Sequence, residues 1–173
     1  VLLVAFHVML IALIAEQAGD RADRGAHAGA SLWTDAALGD VDASSLLVVR
    51  SPQLEMRLAS AQFIEGVRPD VVVLPLSWLG RGSVASDAAF RERAVEPVLR
   101  TVALTGTADE FGLASLADQR HLYVEADPAW DARVAAHLSP EVAWMRFSPE
   151  PLGTIDRDVA VEKMRSGWTR LLA

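Results

Sequence analysis

Cysteine is absent from this chain of 173 residues, so no disulfide staples it and no thiol chemistry is open to it. The redox compartment stays undecided. Lysine occurs once, as Lys163, and tyrosine once, as Tyr123, so arginine carries nearly all of the positive charge. Acidic residues outnumber it. The formal charge of −7 argues against nucleic acid as a partner, because a polyphosphate wants a basic stripe. No GxSxG elbow occurs, no GKS or GKT closes a phosphate loop, and no HExxH or HxH spacing gathers the scattered His7, His27, His121 and His137. The sequence therefore gives no sign of a catalytic nucleophile, a cofactor or a metal.

What is present is a chain 51% hydrophobic and long enough for one domain with a sizeable core. Its opening, "VLLVAFHVMLIALIA", is apolar over residues 1–15 except at His7. As a helix this run is about 22 Å long, against about 30 Å of membrane hydrocarbon. It reads either as the end of a longer transmembrane helix or as a buried helix, and a leading Val in place of Met favours a piece of a longer chain. Residues 16–44, rich in Ala, Gly and Asp, read as a linker with a short helix in "GASLWTDAALGD".

From residue 45 onward strand and helix patterns alternate. "SLLVVRSP" is a strand with two β-branched residues, and "QLEMRLASAQFIEGV" is an amphipathic helix stopped by Gly66. "RPDVVVLPLSWL" turns at Pro69 and enters a second strand, completing a βαβ unit. A helix capped by Ser86 and divided at Pro97 follows, then a short helix in "DEFGLASLADQR" and a third strand in "HLYVEA". "DPAWDARVAAHLSP" reads as a helix, "EVAWMRFSPEP" as a fourth strand, and the last residues as a terminal helix. This order predicts an α/β domain over residues 45–173, a three-layer, Rossmann-like sandwich with a mostly parallel sheet of about four strands.

Ligands of open parallel sheets sit beyond the carboxyl ends of the strands. That places the candidate binding residues at Arg50, Ser51 and Gln53 after the first strand, Ser77, Trp78 and Arg81 after the second, and Glu125 and Asp127 after the third. Glu55 belongs to the same rim, with Arg146 and Ser148 after the fourth strand. No catalytic residue emerges. Glu125 and Asp127 form a general-acid pair in principle, but the following Pro128 fits loop entry and helix capping better. Trp78 is placed to stack on a sugar or to pack, and Gly80 and Gly82 to nest a small anion or to relieve a tight loop. His121 falls at the amino edge, opposite the presumed crevice.

The stretch "LLVVRSPQLEMRLASAQFIEGVRPDVVVLPLSWL" resembles the soluble part of a bacterial family of multi-spanning membrane proteins related to protein O-mannosyltransferases. Glu65, Gly66, Arg68, Pro69 and Asp70 carry the match, and "RADRGAHAGASLWTDAAL" and "HLYVEA" also look like family segments. Where the family carries a Gly-Asp-Asn-like turn, this chain has Arg50, Ser51, Pro52 and Gln53, so the role of that acidic turn does not carry over. The resemblance implies an accessory domain of a membrane glycosyltransferase-like protein, itself non-catalytic. It would stand on the extracytoplasmic side of a bacterial cell membrane, with the membrane, a lipid-linked sugar or an acceptor protein as partner. Two other readings remain open: a free soluble α/β enzyme with a strand-end crevice, and a structural or partner-binding module with an exposed apolar patch.

Overall fold

A run of four apolar residues, Leu46–Val49, forms β1, and all four are buried. Burial on both faces is what a central strand needs, and Val48 and Val49 suit the pleat. The computed structural model describes residues 28–171, so the apolar opening and most of the linker lie outside the described residues. The chain divides into two compact units, Val1–Trp33 and Thr34–Ala173. Of the first unit only the start of helix α1 (Ala28–Gly39) is described.

Helix α2 (Pro52–Phe63) carries the chain from β1 to β2 (Val72–Pro75). Pro52 opens it at a position whose N–H would have no helical partner anyway. Gly66 follows its end at φ 70, a left-handed conformation that glycine adopts without strain. Strand β2 then lies parallel to β1, with Leu46 opposite Val72, and β3 (Leu122–Val124) lies parallel on the other side, with Leu46 opposite Leu122.

Between β2 and β3 run α3 (Gly82–Arg91), α4 (Glu96–Thr105) and α5 (Glu110–Ala117). The helix begins at Gly82, ahead of Ser86, and its division falls at Glu92. Extended backbone there (φ −141) ends α3, and the Glu92 carboxylate accepts the Ala94 N–H. Pro97 sits in the first turn of α4, where proline is tolerated. Asp109 caps α5 by accepting the Gly112 N–H at 2.8 Å.

After β3 come α6 (Ala132–Ala136), β4 (Leu138–Pro140), β5 (Met145–Phe147) and α7 (Thr154–Leu171). The sheet order is β2-β1-β3-β5-β4, with β3–β5 and β4–β5 antiparallel. The expected Rossmann-like, mostly parallel sheet of about four strands is thus corrected to a five-stranded mixed sheet in a mostly helical domain, 54% helix and 12% strand. The reason is the connection. Only residues 141–144 join β4 to β5, whereas parallel neighbours need a crossover of about a dozen residues, so a hairpin is the available geometry.

Leu46 and Val48 of β1 share one apolar cluster with Leu122 and Val124 of β3, Phe147 of β5, and Leu113 and Leu116 of α5. Each such leucine, fully buried, contributes about 1.5–3 kcal/mol. Leu47 and Val49 point the other way and are also buried, as are Leu58 and Ala61 of the neighbouring α2. Trp144 is 2% exposed and donates its Nε1–H to Ala37 O at 2.8 Å, tying the β4–β5 turn to the end of α1.

Arg68 holds the other side of that helix end. Its Nη1 donates to Leu38 O at 2.7 Å and Val41 O at 3.1 Å, and its Nη2 to Asp42 O at 2.9 Å. These carbonyls lie at and just beyond the end of α1, where the helix supplies no partner of its own. Asp70 accepts the Arg68 Nε–H at 2.9 Å and the Ser44 N–H at 2.8 Å. Those two bonds, that of Arg68 first, hold its carboxyl well below the usual carboxylate range.

Among the described residues no helix is long and apolar enough to cross a membrane. The longest, α7, has 18 residues and carries Asp156, Arg157, Asp158, Glu162, Lys163 and Arg165 along its length, which hydrocarbon would not accept. The expectations of the membrane as partner and of a place at the bacterial cell membrane therefore do not stand on these residues.

Candidate functional site

Strands β1 and β3 are parallel neighbours, so their carboxyl ends bring Arg50 and Ser51 against Glu125 and Asp127. Glu125 Oε2 accepts the backbone N–H of Arg50 at 2.6 Å and of Ser51 at 2.8 Å. Arg50 Nε pairs with Asp127 Oδ2 at 3.0 Å, and the guanidinium lies 4.8 Å from the centre of the Trp130 ring. Trp130 in turn donates its Nε1–H to Glu125 O at 2.9 Å. Asp127 Oδ1 accepts the Ala129 N–H at 2.8 Å, the turn role that Pro128 made legible. The two carboxylates thus fix backbone and guanidinium and do not face each other as an acid pair.

The other candidates stand apart from this group. Trp78 lies in the short 3-10 turn Leu76–Trp78 beyond β2, and the Arg81 guanidinium covers its ring at 3.9 Å from the centre. The Trp78 face therefore stacks on a cation of its own chain. Ser77 is exposed in the same turn, and Gln53 is exposed in the first turn of α2. Arg146 and Ser148 are not on this rim. Strand β5 runs antiparallel to β3, which carries them to the opposite end of the sheet, where Arg146 Nη2 lies 3.0 Å from His121 Nδ1.

Compared with family models, with curated proteins and with solved structures, the chain matches none. The resemblance to the multi-spanning family related to protein O-mannosyltransferases is corrected accordingly. The matched residues have local reasons to be where they are: Gly66 supplies a left-handed turn, and Arg68 with Asp70 binds the end of α1 to the start of β2. With the resemblance go the role of extracytoplasmic accessory domain of a glycosyltransferase-like protein and the lipid-linked sugar and acceptor protein as partners.

Two atoms at the junction of β1 and α2 are left without a partner. Arg50 Nη1 and Glu55 Oε2 are enclosed and make no hydrogen bond. Burial pushes the Glu55 carboxyl up from its ordinary value, so it holds a proton more readily than a surface glutamate. Glu55, Gln62 and Asp87 line a cavity of about 200 Å³ between α2, β2 and α3, floored by Val73 and Leu74. The Gln62 amide is anchored by donating to Arg68 O at 3.0 Å and Val71 O at 2.8 Å. Trp130 is the rim member that periodicity alone assigns to core packing. Its spacing from Glu125, five residues across a Pro-containing turn, is the sequence signal that could have set it beside the rim. Among the described residues no group of His, Asp and Glu could hold a metal ion.

Proposed function

We propose that Thr34–Ala173 is a small-molecule-binding α/β domain whose ligand sits at the junction of β1 and α2, recognised by Arg50 and Glu55. The observation that carries this reading is the pair of enclosed, unpartnered atoms, Arg50 Nη1 and Glu55 Oε2. A buried polar group without a partner costs about 1–3 kcal/mol, and more when charged, so a fold that keeps two at one junction ordinarily satisfies them from outside the chain. Because both atoms are enclosed, the two side chains turn outward to meet the ligand, and Arg50 then offers a donor. Glu55, with its raised pKa, offers either an acceptor or an O–H, so the matching ligand carries a hydroxyl or a primary amide. The location agrees with the habit of parallel strands, whose carboxyl ends form the usual ligand crevice.

The test is a screen of small neutral hydroxyl and amide compounds by backbone NMR of the full chain, with Glu55→Leu as the variant. Binding should shift the amide signals of Arg50, Ser51 and Glu125. Glu55→Leu should abolish it while leaving the fold as stable as before or more so, since an unpaired acceptor is removed from an enclosed place. A high-resolution crystal structure with one ordered water bridging both atoms, together with no shift from any compound, would overturn the reading.

A further inference from the structure

We infer a second site, at the opposite end of the sheet: a pocket for a small carboxylic acid with an apolar body, its carboxylate held by Arg120 and Arg146. The cavity there measures about 390 Å³, within the roughly 300–1,000 Å³ usual for small-molecule pockets. Arg120, His121, Ser139 and Arg146 supply its polar wall, and Ala117, Pro149 and Leu152, none of them fully buried, give it an apolar side. A neighbouring cavity of about 370 Å³ shares Arg120 and His121, so these two side chains stand in the wall between the two spaces.

Sheet register explains how basic residues gather on a chain of charge −7. Tyr123 of β3 and Ser139 of β4 both lie opposite Arg146 of β5, which sets the three abreast, and His121 stands two residues before Tyr123 on the same side. Their carboxylate neighbours are largely engaged. Asp42 Oδ2 accepts the Tyr123 O–H at 2.9 Å and lies 3.7 Å from His121 Nδ1 and 3.8 Å from Arg146 Nη2, distances too long for hydrogen bonds. Glu92 pairs with Arg120 Nε at 3.3 Å. Glu141, which lines the cavity, is held by Lys163 Nζ at 2.7 and 2.9 Å.

Arg120 Nη1 reaches Ser44 O at 3.4 Å, which leaves its Nη2 and the Nε and Nη1 of Arg146 without an acceptor among the described residues. The two side chains are 34% and 41% exposed, open enough to reach and dry enough to matter. Guanidinium N–H groups fit the paired oxygens of a carboxylate. The formal charges of Arg120 and Arg146 are balanced by Asp42 and Glu92, and that of Lys163 by Glu141, with histidine counted neutral. With these charges already balanced, every negative charge a ligand brings is held by the spare donors alone and meets Asp42, so a singly charged group is tolerated better than a doubly charged one. The charge count therefore selects a carboxylate over a phosphate ester.

Benzoate, phenyl phosphate, inorganic phosphate and benzyl alcohol, titrated into the full chain by calorimetry and backbone NMR, test this. Benzoate should bind saturably and shift the signals of Ala117, His121, Ser139 and Ser148, leaving Arg50 and Ser51 unmoved, so this site and the one at Arg50 fail or stand separately. Arg146→Gln and Arg120→Gln should each weaken benzoate about tenfold or more, and Arg146→Lys should recover only part of the loss. Where a Gln variant does not fold, the shift pattern in the unaltered chain decides. Equal or tighter binding of either phosphate, equal binding of benzyl alcohol, undiminished affinity in both Gln variants, or shifts scattered outside the pocket would each overturn the inference.

Discussion

Removing the Arg68 side chain as Arg68→Ala should destabilise the domain by about 2–4 kcal/mol. The magnitude follows from its three backbone acceptors, Leu38 O, Val41 O and Asp42 O, at 2.7, 3.1 and 2.9 Å. A hydrogen bond to a charged group contributes about 1.5–3 kcal/mol when well buried, so three would suggest more. The Arg68 side chain is 26% exposed, however, and water can reach part of what it vacates, which lowers the total. Its left-handed backbone, φ 48, enters neither way, because alanine at that position suffers the same strain as arginine.

The ion pair with Asp70 adds little at such exposure, and Asp70→Asn, which also weakens the bond from Ser44 N–H, sets its upper bound. That share is present above the ordinary carboxylate pKa of about 4 and is lost as pH falls further, through the lower value Asp70 has in the fold. Urea unfolding of the two variants at low salt and at about 1 M salt, where screening acts within about 3 Å, separates the two contributions. Arg68→Ala should keep most of its loss at high salt, and Arg68→Lys, with one compact ammonium in place of a fork, should recover only a part. A loss under about 0.5 kcal/mol, or one that vanishes with salt, would refute the carbonyl-clamp account.

Tyr123, the sole tyrosine, should titrate far above the usual phenol range. Burial and its hydrogen bond to Asp42 push its pKa up to about 12. The stabilisation of the neutral ring is complete below pH of about 10 and is lost as pH rises through the folded value, a difference of roughly 3 kcal/mol. Ultraviolet difference absorbance reads the phenolate directly, and ionisation near pH 10 in a folded chain would contradict the burial. Gly167→Ala should lose about 1–2 kcal/mol, because the added methyl meets the Val142 side chain and overpacking outweighs the gain of up to about 1 kcal/mol in helix propensity. Thermal unfolding checks it, and Val142→Ala in the same chain should return the stability that the crowding removed.

The legible part of the fold was local. Four apolar residues in a row, Pro52 at a helix start and Gly66 after its end are short-range signals, and β1, α2 and β2 follow them. Strands β4 and β5 have three residues each, too few to show alternation, so Leu138–Pro140 passed for the end of a helix. Strand direction is harder still. Nothing within Met145–Phe147 says which way it runs in the sheet, yet that direction alone decides whether Arg146 joins Arg50 or His121. The short connection at residues 141–144 carries the answer, but only once Leu138–Pro140 is known to be a strand.

The rim was legible by kind more than by pairing. The turn role of Asp127 follows from its place before Pro128, whereas the bonds of Glu125 to Arg50 and Ser51 and the seat of Arg50 between Asp127 and Trp130 depend on the register of β3, which sequence spacing does not contain. The phrase "EGVRPD" shows the same limit from the other side. A helix stop needs a left-handed residue, the exposed carbonyls of a preceding helix need a multidentate donor, and an entering strand needs a turn. Gly66, Arg68 and the Pro69-Asp70 turn meet those demands in one short segment. Any βαβ unit with a helix end beside its second strand faces the same demands, so likeness at these positions carries information about backbone geometry. Chemistry has to be argued from side chains whose donors and acceptors the fold leaves unspent, as it does at Arg50, Glu55, Arg120 and Arg146.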